Sequence, residues 1–502
     1  MAESQSEANP RNVILILIDS LNRSHLSAYG PTPVATPNLD RFGQRAWRFE
    51  NHYVGSLPCM PARREIFAGF KEMMWRPWGP LEDFDARLPR LLEAASYQTA
   101  IVTDHYHYWE ESGNGYLQAF QQTDLVRGHE VDNWQLPDVS DEIPAWVKNL
   151  ERWRPGHGRR YFANVRTFRS EDDFFPARVM KAATAWLQAD RPSPFFLQIE
   201  SFDVHEPFHL VEPYASMYGD PSGYERFTVW PPYQDAAQLA KFFAATTPDE
   251  LAFIRSQYAG KVSMVDRWLG EVLDALDRTH RWDDTIVIVT TDHGHDLGVR
   301  ETFGKQYPHY DTHAKLPLLV WHPDHPGGGR TISALTSTVD LFSTILDACD
   351  VKHEAVHGQS LMPLIDGDRG SRIGLLYGTF GQGVCCTDGR HTIFKSPTQS
   401  DDQLYAYTTL KYKSLVLDEP LDPQAAGHYI PDVAALQWRA AVRTSSLSTE
   451  NFLFNIQEDP QQTRNLWATS SAERRNMLDL LQEVLRSEGA PPEQYRRLGL
   501  QQ

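Results

Sequence analysis

The strongest constraint on the fold is the run "NVILILIDS" at residues 12–20, in which six consecutive apolar residues are followed by Asp19. A run of this kind is typical of a strand that is buried on both faces. A second run, "TIVIVTTDHG" at 285–294, also ends in polar side chains, Asp292 and His293. Because ligands gather at the carboxyl ends of parallel strands, both runs predict a functional site at that edge of a sheet.

Strands and helices alternate along the first part of the chain. This order predicts an α/β fold in which helices cover both faces of a parallel sheet. We predict further strands at 97–104, 194–203 and 315–321, and helices at 87–96, 249–277 and 337–348.

The pattern changes at about residue 373, and we predict a large first domain over 1–372 and a smaller antiparallel α+β subdomain over 373–502. Two long stretches without clean periodicity, 105–185 and 207–248, are expected to be insertions that form lids or pocket walls. The predicted elements of the subdomain are the strands "IGLLYG" (373–378), "HTIFKS" (391–396), "KSLVL" (413–417) and "NFLFNI" (451–456), and a helix with Met477, Leu481, Val484 and Leu485 near one face.

Net charge and cysteine usage exclude several classes of protein. The net charge of −18 argues against nucleic acid or an anionic membrane as the main partner, because both require a basic surface. The cysteines do not form the dense set of a disulfide-stapled secreted domain, and we expect a soluble cytoplasmic protein. The start of the chain lacks a signal-peptide pattern, and "VILILI" (13–18) is too short to span a bilayer. The four cysteines are Cys59, Cys349, Cys385 and Cys386.

Cys59 lies in "CMPAR" (59–63), which fits the pattern C-x-P-x-R. This pattern is the signature of sulfatases in the alkaline phosphatase superfamily, in which the cysteine is oxidised after translation to formylglycine. Other segments resemble that family in the family's own order, from about residue 12 to 466. They are "VILILIDSLNRSHLSAYG", "TPNLDRFGQRAWRFENHYV", "TTDHG", "GKQYPHYDTHAKLPLLVW", "VDLFSTILDACDV", "HGQSLMPLIDG" and "FNIQEDPQQTRNL".

The resemblance implies an alkaline phosphatase-like fold, with a large mixed, mainly parallel sheet sandwiched by helices. It also implies that Cys59 is the precursor of the working group. In the family, hydrated formylglycine carries two hydroxyl groups: a divalent cation activates one for attack on sulfur, and the second allows the sulfate to be eliminated. Arg63 would neutralise negative charge beside Cys59, and Pro61 would start a helix whose amide groups face an anion.

The resemblance implies that Asp19, Asp292 and His293, which match the family's metal ligands in position, bind a metal ion beside the modified Cys59. Oxygen ligands favour Ca²⁺ as the single divalent ion, while Mg²⁺ and Mn²⁺ stay open. The chain departs from the family at Ser20, where many sulfatases have Asp or Gln, and at Asn22, where many have Arg. Ser20 is a weak ligand, so Asn22 or a water would complete the shell.

The resemblance also assigns residues that contact the sulfate and the leaving group. His205 in "FDVHEPF" matches a sulfate-contacting histidine that can protonate the leaving oxygen, and Lys305 in "GKQYPHYD" matches a lysine that stabilises the leaving group. In "TAIVTDHYHYW", Asp104 stands where many relatives have a sulfate-contacting lysine, and His105 or His107 would take that role. His309 and His313 are weaker candidates.

The leading hypothesis is a sulfuric ester hydrolase that acts on an anionic small-molecule or glycan sulfate ester. The formylglycine-generating enzyme would be its partner during maturation. A phosphonate monoester or phosphodiester hydrolase with the same formylglycine and metal pocket is the alternative enzyme. The third hypothesis is a catalytically silent relative that binds a sulfated glycan, and the intact Cys59, Arg63, Asp19 and Asp292 argue against it.

Overall fold

The computed structural model describes residues 11–137, 142–189, 191, 193–233, 236–354, 356–398, 404–410, 417, 422–442 and 450–501. The strands are β1 Asn12–Ile18, β2 Trp47–Tyr53, β3 Ser56–Leu57, β4 Gln98–Thr103, β5 Gln122–Leu125, β6 Phe195–Ser201, β7 Thr285–Thr290, β8 Asp296–Leu297, β9 Phe303–Gly304, β10 Lys315–Leu316, β11 Leu318–Trp321, β12 Thr331–Ser337, β13 Leu375–Thr379, β14 Val384–Thr387, β15 His391–Lys395, β16 Leu404–Thr408, β17 Ala426–Gly427, β18 Gln437–Val442 and β19 Phe452–Asn455. The α-helices are α1 Pro37–Arg45, α2 Cys59–Ala68, α3 Leu88–Ala94, α4 Ala145–Trp153, α5 His157–Val165, α6 Phe175–Gln188, α7 Ala236–Ala245, α8 Pro248–Arg278, α9 Asp311–Ala314, α10 Asp340–Ala348, α11 Met362–Ile365, α12 Ser471–Ser487 and α13 Pro492–Arg497.

The main sheet is mixed, and most of its strands are parallel. Its order is β10-β2-β11-β7-β1-β6-β4-β5, and β12 also pairs with β2. Strands β7, β1, β6, β4 and β5 run parallel, whereas β11 is antiparallel to both β7 and β2. The prediction of a large, mainly parallel α/β sheet is therefore confirmed.

Strand β1 explains why the sheet needs cover on both faces. Its alternate residues enter two different hydrophobic cores: Ile14, Ile16 and Ile18 pack with α1, α6 and α8, while Val13 and Leu17 pack with α2, α3 and α10. All seven residues of β1 are fully buried. Because the run is apolar at every position, it contributes side chains to both cores, as the sequence predicted.

The register of the central strands places their polar ends together. Leu17 of β1 lies opposite Thr290 of β7, and Ile18 lies opposite Ser201 of β6. The amide of Asp19 continues the ladder by donating to the carbonyl of Ser201 at 2.8 Å. The loops that follow the three strands therefore leave from one edge of the sheet.

The C-terminal part is built on a smaller antiparallel sheet of order β19-β15-β14-β13, which β3 extends in parallel. Helix α12 covers it and buries the predicted face of Met477, Leu481, Val484 and Leu485. The predicted strand at 413–417 lies outside the described residues except for Leu417. Strand β3 ends two residues before Cys59, so this sheet extends to the start of helix α2. The domain boundary at 372 stays a prediction.

The two stretches expected to be insertions contain regular elements. Residues 105–185 include β5, at one edge of the main sheet, together with helices α4 and α5, and residues 207–248 include α7. All four cysteines are buried and carry free thiols. Within the described ranges, we find no helix with the length and apolar character needed to cross a bilayer.

Helix α8 holds the loop after β1 in place through Tyr258. The Tyr258 hydroxyl donates to the carbonyl of Ser20 at 2.7 Å and accepts from the amide of Asn22 at 2.8 Å. Tyr258→Phe should lower the free energy of unfolding by about 1–3 kcal/mol, because it leaves two buried backbone groups without partners. Urea denaturation of both proteins measures this difference.

Tyr218→Phe is the matched control for that substitution. The Tyr218 hydroxyl also makes two hydrogen bonds, to the amide of Ala35 and to Ser263, but its side chain is only partly buried. Water can replace these bonds, so we expect a loss below about 1 kcal/mol. Equal losses for the two variants would contradict the structural role given to Tyr258.

Candidate active site

Cys59 is the first residue of α2, and all ten residues of this helix are buried. The helix ends at Ala68 because Gly69 adopts a left-handed conformation with φ 71°, and a Cβ on Gly69 would lie 2.5 Å from the Phe342 ring. The amino terminus of a helix carries unpaired amide groups and a partial positive charge, which stabilise anions. Cys59 therefore lies at the end of the helix that carries the partial positive charge.

Arg63, one turn further along α2, connects the helix to the ends of the central strands. Its Nη1 donates to Asp292 Oδ2 at 2.5 Å and its Nη2 donates to Asp19 Oδ2 at 3.0 Å. A third carboxylate, Glu200 of β6, has its Oε1 3.6 Å from Arg63 Nε. All four side chains are completely buried, so one guanidinium faces three carboxylates away from water.

This imbalance changes the ionisation of the two aspartates. Burial and the Asp292 carboxylate raise the pKa of Asp19 well above its ordinary value. Asp292 is equally buried, but His293 and Arg63 hold the pKa of its carboxyl below its ordinary value. Two carboxylates buried side by side disfavour a second negative charge unless further positive charge is supplied. A divalent cation would supply the missing positive charge, so the donor set fits such an ion.

His293 is the remaining member of the cluster, and its Nε2 atom carries no proton. Its Nδ1 donates to the carbonyl of Gly294 at 2.9 Å, which leaves Nε2 unprotonated and 3.1 Å from Cys59 Sγ. Burial lowers the pKa of His293 to about 3, so the ring is neutral, as a metal ligand must be. Ligand atoms of Asp19, Cys59, Asp292 and His293 all lie within 4.8 Å of one another.

The thiol of Cys59 is a poor nucleophile in this place. Burial and the Asp19 carboxylate raise the pKa of Cys59 well above its ordinary value. A thiol that keeps its proton neither attacks an ester nor binds a metal efficiently.

The two predicted supporting ligands, Ser20 and Asn22, both make hydrogen bonds in the loop after β1. Ser20 Oγ donates to Asp19 Oδ1 at 2.7 Å, and Ser20 has a positive φ of 61°, which turns the chain after β1. Asn22 uses both ends of its amide on the backbone of His295: Nδ2 donates to the carbonyl at 2.8 Å and Oδ1 accepts from the amide at 2.7 Å. Both residues shape the loop that carries Asp19.

Lys305 and His205 form a pair at the side of Cys59, in the same cavity. Lys305 Nζ lies 2.5 Å from His205 Nε2, and His205 Nδ1 bonds to the carbonyl of Glu206 at 2.9 Å. Burial opposes the charge on Lys305, but the Glu206 carboxylate raises the pKa of the lysine well above its ordinary value. Burial lowers the pKa of His205 well below its ordinary value. Lys305 is therefore the protonated member of the pair.

Two glutamates that sequence reasoning missed surround this pair. Glu206 accepts from His295 Nε2 at 2.8 Å and from Trp230 Nε1 at 3.2 Å. Glu130 Oε1 lies 3.1 Å from His205 Nδ1. The position of Glu206 next to His205 in the sequence was an available signal, whereas Glu130 lies in an irregular segment without any local pattern.

The remaining predicted residues lie at different depths. His105 is buried with its Nε2 3.9 Å from Asp19 Oδ2, whereas His107 reaches the cavity and bonds to Glu110. Asp104 accepts from the amide of Phe202 at 2.6 Å, below the cavity surface. His309 Nδ1 and His313 Nε2 lie 3.0 Å apart in a buried pair that reaches the cavity through Thr379.

A cavity of about 820 Å³ opens above Cys59. Its wall combines charged groups with aromatic rings, and several of these come from the irregular stretches of the sequence. The lining includes Cys59, Trp78, Tyr106, His107, Glu110, Glu130, Arg154, His205, Trp230, Tyr233, Lys305 and Thr379.

The Sulfatase family model matches residues 11–351 of this chain. The chain is 26% identical over 410 residues to the multifunctional alkaline phosphatase superfamily protein PehA of Trinickia caryophylli, a match that covers 71% of this chain and 77% of PehA. It is 25% identical over 375 residues to a choline-sulfatase of Rhizobium meliloti, with 71% of this chain and 72% of that protein covered.

The fold resembles the crystal structure of a phosphonate monoester hydrolase from Agrobacterium radiobacter. The TM-score is 0.67 at 21% identity, and the alignment covers 95% of this chain and 96% of the other. Together with the family match, these findings show that the chain belongs to the sulfatase family of the alkaline phosphatase superfamily, a family of metal-dependent sulfuric ester hydrolases that carry formylglycine.

Proposed function

We propose that this chain hydrolyses sulfate esters with a formylglycine made from Cys59 and one divalent cation, Ca²⁺ as first choice. The observation that supports this most is the buried cluster of Asp19, Asp292, His293 and Cys59 beneath the cavity. Asp19, Asp292 and His293 would hold the ion. When bound, it would lower the pKa of a hydroxyl group at position 59 and hold that group in line with sulfur.

The reason to propose formylglycine is the C-x-P-x-R pattern of residues 59–63, which is the family's signature for this modification. A hydrated aldehyde at position 59 would supply one hydroxyl for attack and a second from which the sulfate is released. Arg63 would hold the negative charge of this group beside Asp19 and Asp292. The amide groups at the start of α2 face the same position and would orient the sulfate oxygens.

The Lys305–His205 pair is the proposed source of the leaving-group proton. Lys305 carries the positive charge and hydrogen-bonds His205 Nε2, so it can neutralise or protonate the oxygen that departs. His205 would orient Lys305 and contact the sulfate. Glu206, which is anchored by His295 and Trp230, would keep both groups in place, because its Oε2 lies 3.4 Å from His205 Nδ1 and 3.9 Å from Lys305 Nζ.

A phosphonate monoester or phosphodiester hydrolase is the second candidate. The observation that favours it is Asp104, which stands where many sulfatases have a sulfate-contacting lysine and bonds to the backbone instead. Under the first proposal, the substrate would be an anionic small-molecule or glycan sulfate ester. The formylglycine-generating enzyme would be the maturation partner. The cytoplasmic location inferred from the cysteines stays a prediction.

Removal of divalent cations should abolish hydrolysis, and re-addition of Ca²⁺, Mg²⁺ or Mn²⁺ should restore it. Asp292→Asn should lower kcat/KM by roughly a hundredfold or more, because the ion depends on this carboxylate. Each active ion should also raise the melting temperature of the wild type and not of Asp292→Asn. Asp274→Asn serves as the control and should respond like the wild type, because Asp274 is a partly exposed residue of α8 that pairs with Arg41. Full activity after exhaustive metal removal would refute the metal assignment.

The state of Cys59 gives the sharpest test of the mechanism. In protein made with the maturation enzyme, the peptide that contains "CMPAR" should show the mass of an aldehyde or its hydrate. Cys59→Ala should remove turnover but keep the fold, because a small residue at a helix start costs little stability. Cys59→Ser should also fail, since serine lacks the second hydroxyl. A thiol in fully active protein would overturn the mechanism, and Cys349→Ala is the control expected to stay active.

Aryl sulfates should be hydrolysed faster than aryl phosphate monoesters. One metal ion with singly charged cationic neighbours suits a singly charged sulfate ester better than a phosphate dianion. A parallel measurement of kcat/KM should include an aryl sulfate, a phenylphosphonate monoester and a phosphate diester. A strong preference for either of the last two compounds would favour the second candidate.

A further inference from the structure

Arg154 is a buried cation in the wall of the active-site cavity. It follows α4 directly, and only 7% of its surface is exposed. Its Nε donates to the carbonyl of Pro231 at 3.2 Å. Its Nη2 is buried and finds no hydrogen-bond partner in the described part of the chain.

The guanidinium also lacks a carboxylate partner. Buried arginines are almost always paired, because an isolated charge away from water is costly. Among the described residues, no Asp or Glu forms an ion pair with Arg154. Burial raises the pKa of Glu130, a carboxyl of the same cavity, to about 8 and the charge of Arg154 opposes this rise, but the direct contact of Glu130 is with His205 Nδ1 at 3.1 Å. The structure therefore provides a cation for an anion that the described residues do not supply.

Arg154 and Lys305 both lie close to the Tyr233 ring. Arg154 Cζ is 4.8 Å from the ring centroid of Tyr233 and 4.6 Å from that of Trp230, and Lys305 Nζ is 5.4 Å from the Tyr233 centroid. Both cations line the cavity together with Cys59. Two aromatic rings of the cavity, Trp230 and Tyr233, already contact protein cations, so they are less available to a cationic substrate.

We propose that Arg154 forms a second anion-binding position of the active site. The substrate is then a sulfate ester whose alcohol portion carries another anionic group, a carboxylate or a second sulfate. The planar guanidinium can bind either group through two parallel hydrogen bonds. This inference rests on the proposed function for the identity of the first group, which lies at Cys59 and Lys305.

The test compares 4-carboxyphenyl sulfate with its neutral carboxamide analogue and with benzene-1,4-disulfate. Two quantities are measured: kcat/KM of the active enzyme, and the dissociation constant for Cys59→Ala protein, which does not depend on turnover. We expect at least a roughly tenfold preference for the carboxylate over the carboxamide in both quantities. The same two quantities for 4-carboxyphenyl sulfate and benzene-1,4-disulfate show whether the Arg154 position prefers a carboxylate or a sulfate.

Arg154→Gln should bring the carboxylate-to-carboxamide ratio close to one, and Arg154→Lys should keep part of it. Arg152→Gln is the matched control, because Arg152 is exposed two residues earlier on α4, and it should keep the full ratio. Equal or undetectable binding of carboxylate and carboxamide to Cys59→Ala protein would overturn the inference, even where Arg154→Gln fails to fold. Selective carboxylate binding without any sulfate ester turnover would support Arg154 and refute the proposed function.

Discussion

Arg63 is the charge around which the central strands and helix α2 are arranged. Its guanidinium contacts Asp19 after β1, Asp292 after β7 and Glu200 on β6, with no side chain exposed to water. Loss of one partner from a buried network of this kind typically costs about 3–5 kcal/mol, because the remaining charges are uncompensated. The same arrangement leaves excess negative charge beside Cys59. The buried charges that hold the central strands and helix α2 together therefore also supply the negative charge that a divalent cation would bind.

Helix α2 needs a second anchor so that Arg63 and Cys59 keep their positions, and Glu65 supplies it. The buried Glu65 carboxylate accepts hydrogen bonds from Ser56 at 2.5 Å and Thr338 at 2.7 Å. A Cβ at Gly55 would lie 2.3 Å from this carboxylate, so only glycine fits there. Ser56 belongs to β3, which pairs with β13. The nucleophile helix is thus attached to both the main sheet and the smaller one.

The chemistry and the substrate selectivity depend on different parts of the chain. The metal cluster and Arg63 are held by the rigid strand ends and by α2. The cavity wall is assembled from segments that have no common periodic pattern, and it contributes Glu130, Arg154 and Tyr233. A wall built in this way can change without disturbing the strand ends, which is the usual division between a scaffold and its loops. We therefore expect substrate selectivity to depend on the wall.

The sequence alone determined the parallel core, because β1 and β7 are uninterrupted apolar runs, and it placed Asp19, Asp292 and His293 directly after them. It also determined the relation of Cys59 to Arg63, since residues four apart share one helix face. Only the tertiary structure decided the roles of Ser20 and Asn22, which depend on a left-handed turn and on the distant backbone of His295. The same holds for Arg154: its lack of a carboxylate partner among the described residues is a property of the packed cavity, and no local pattern encodes which charges meet there.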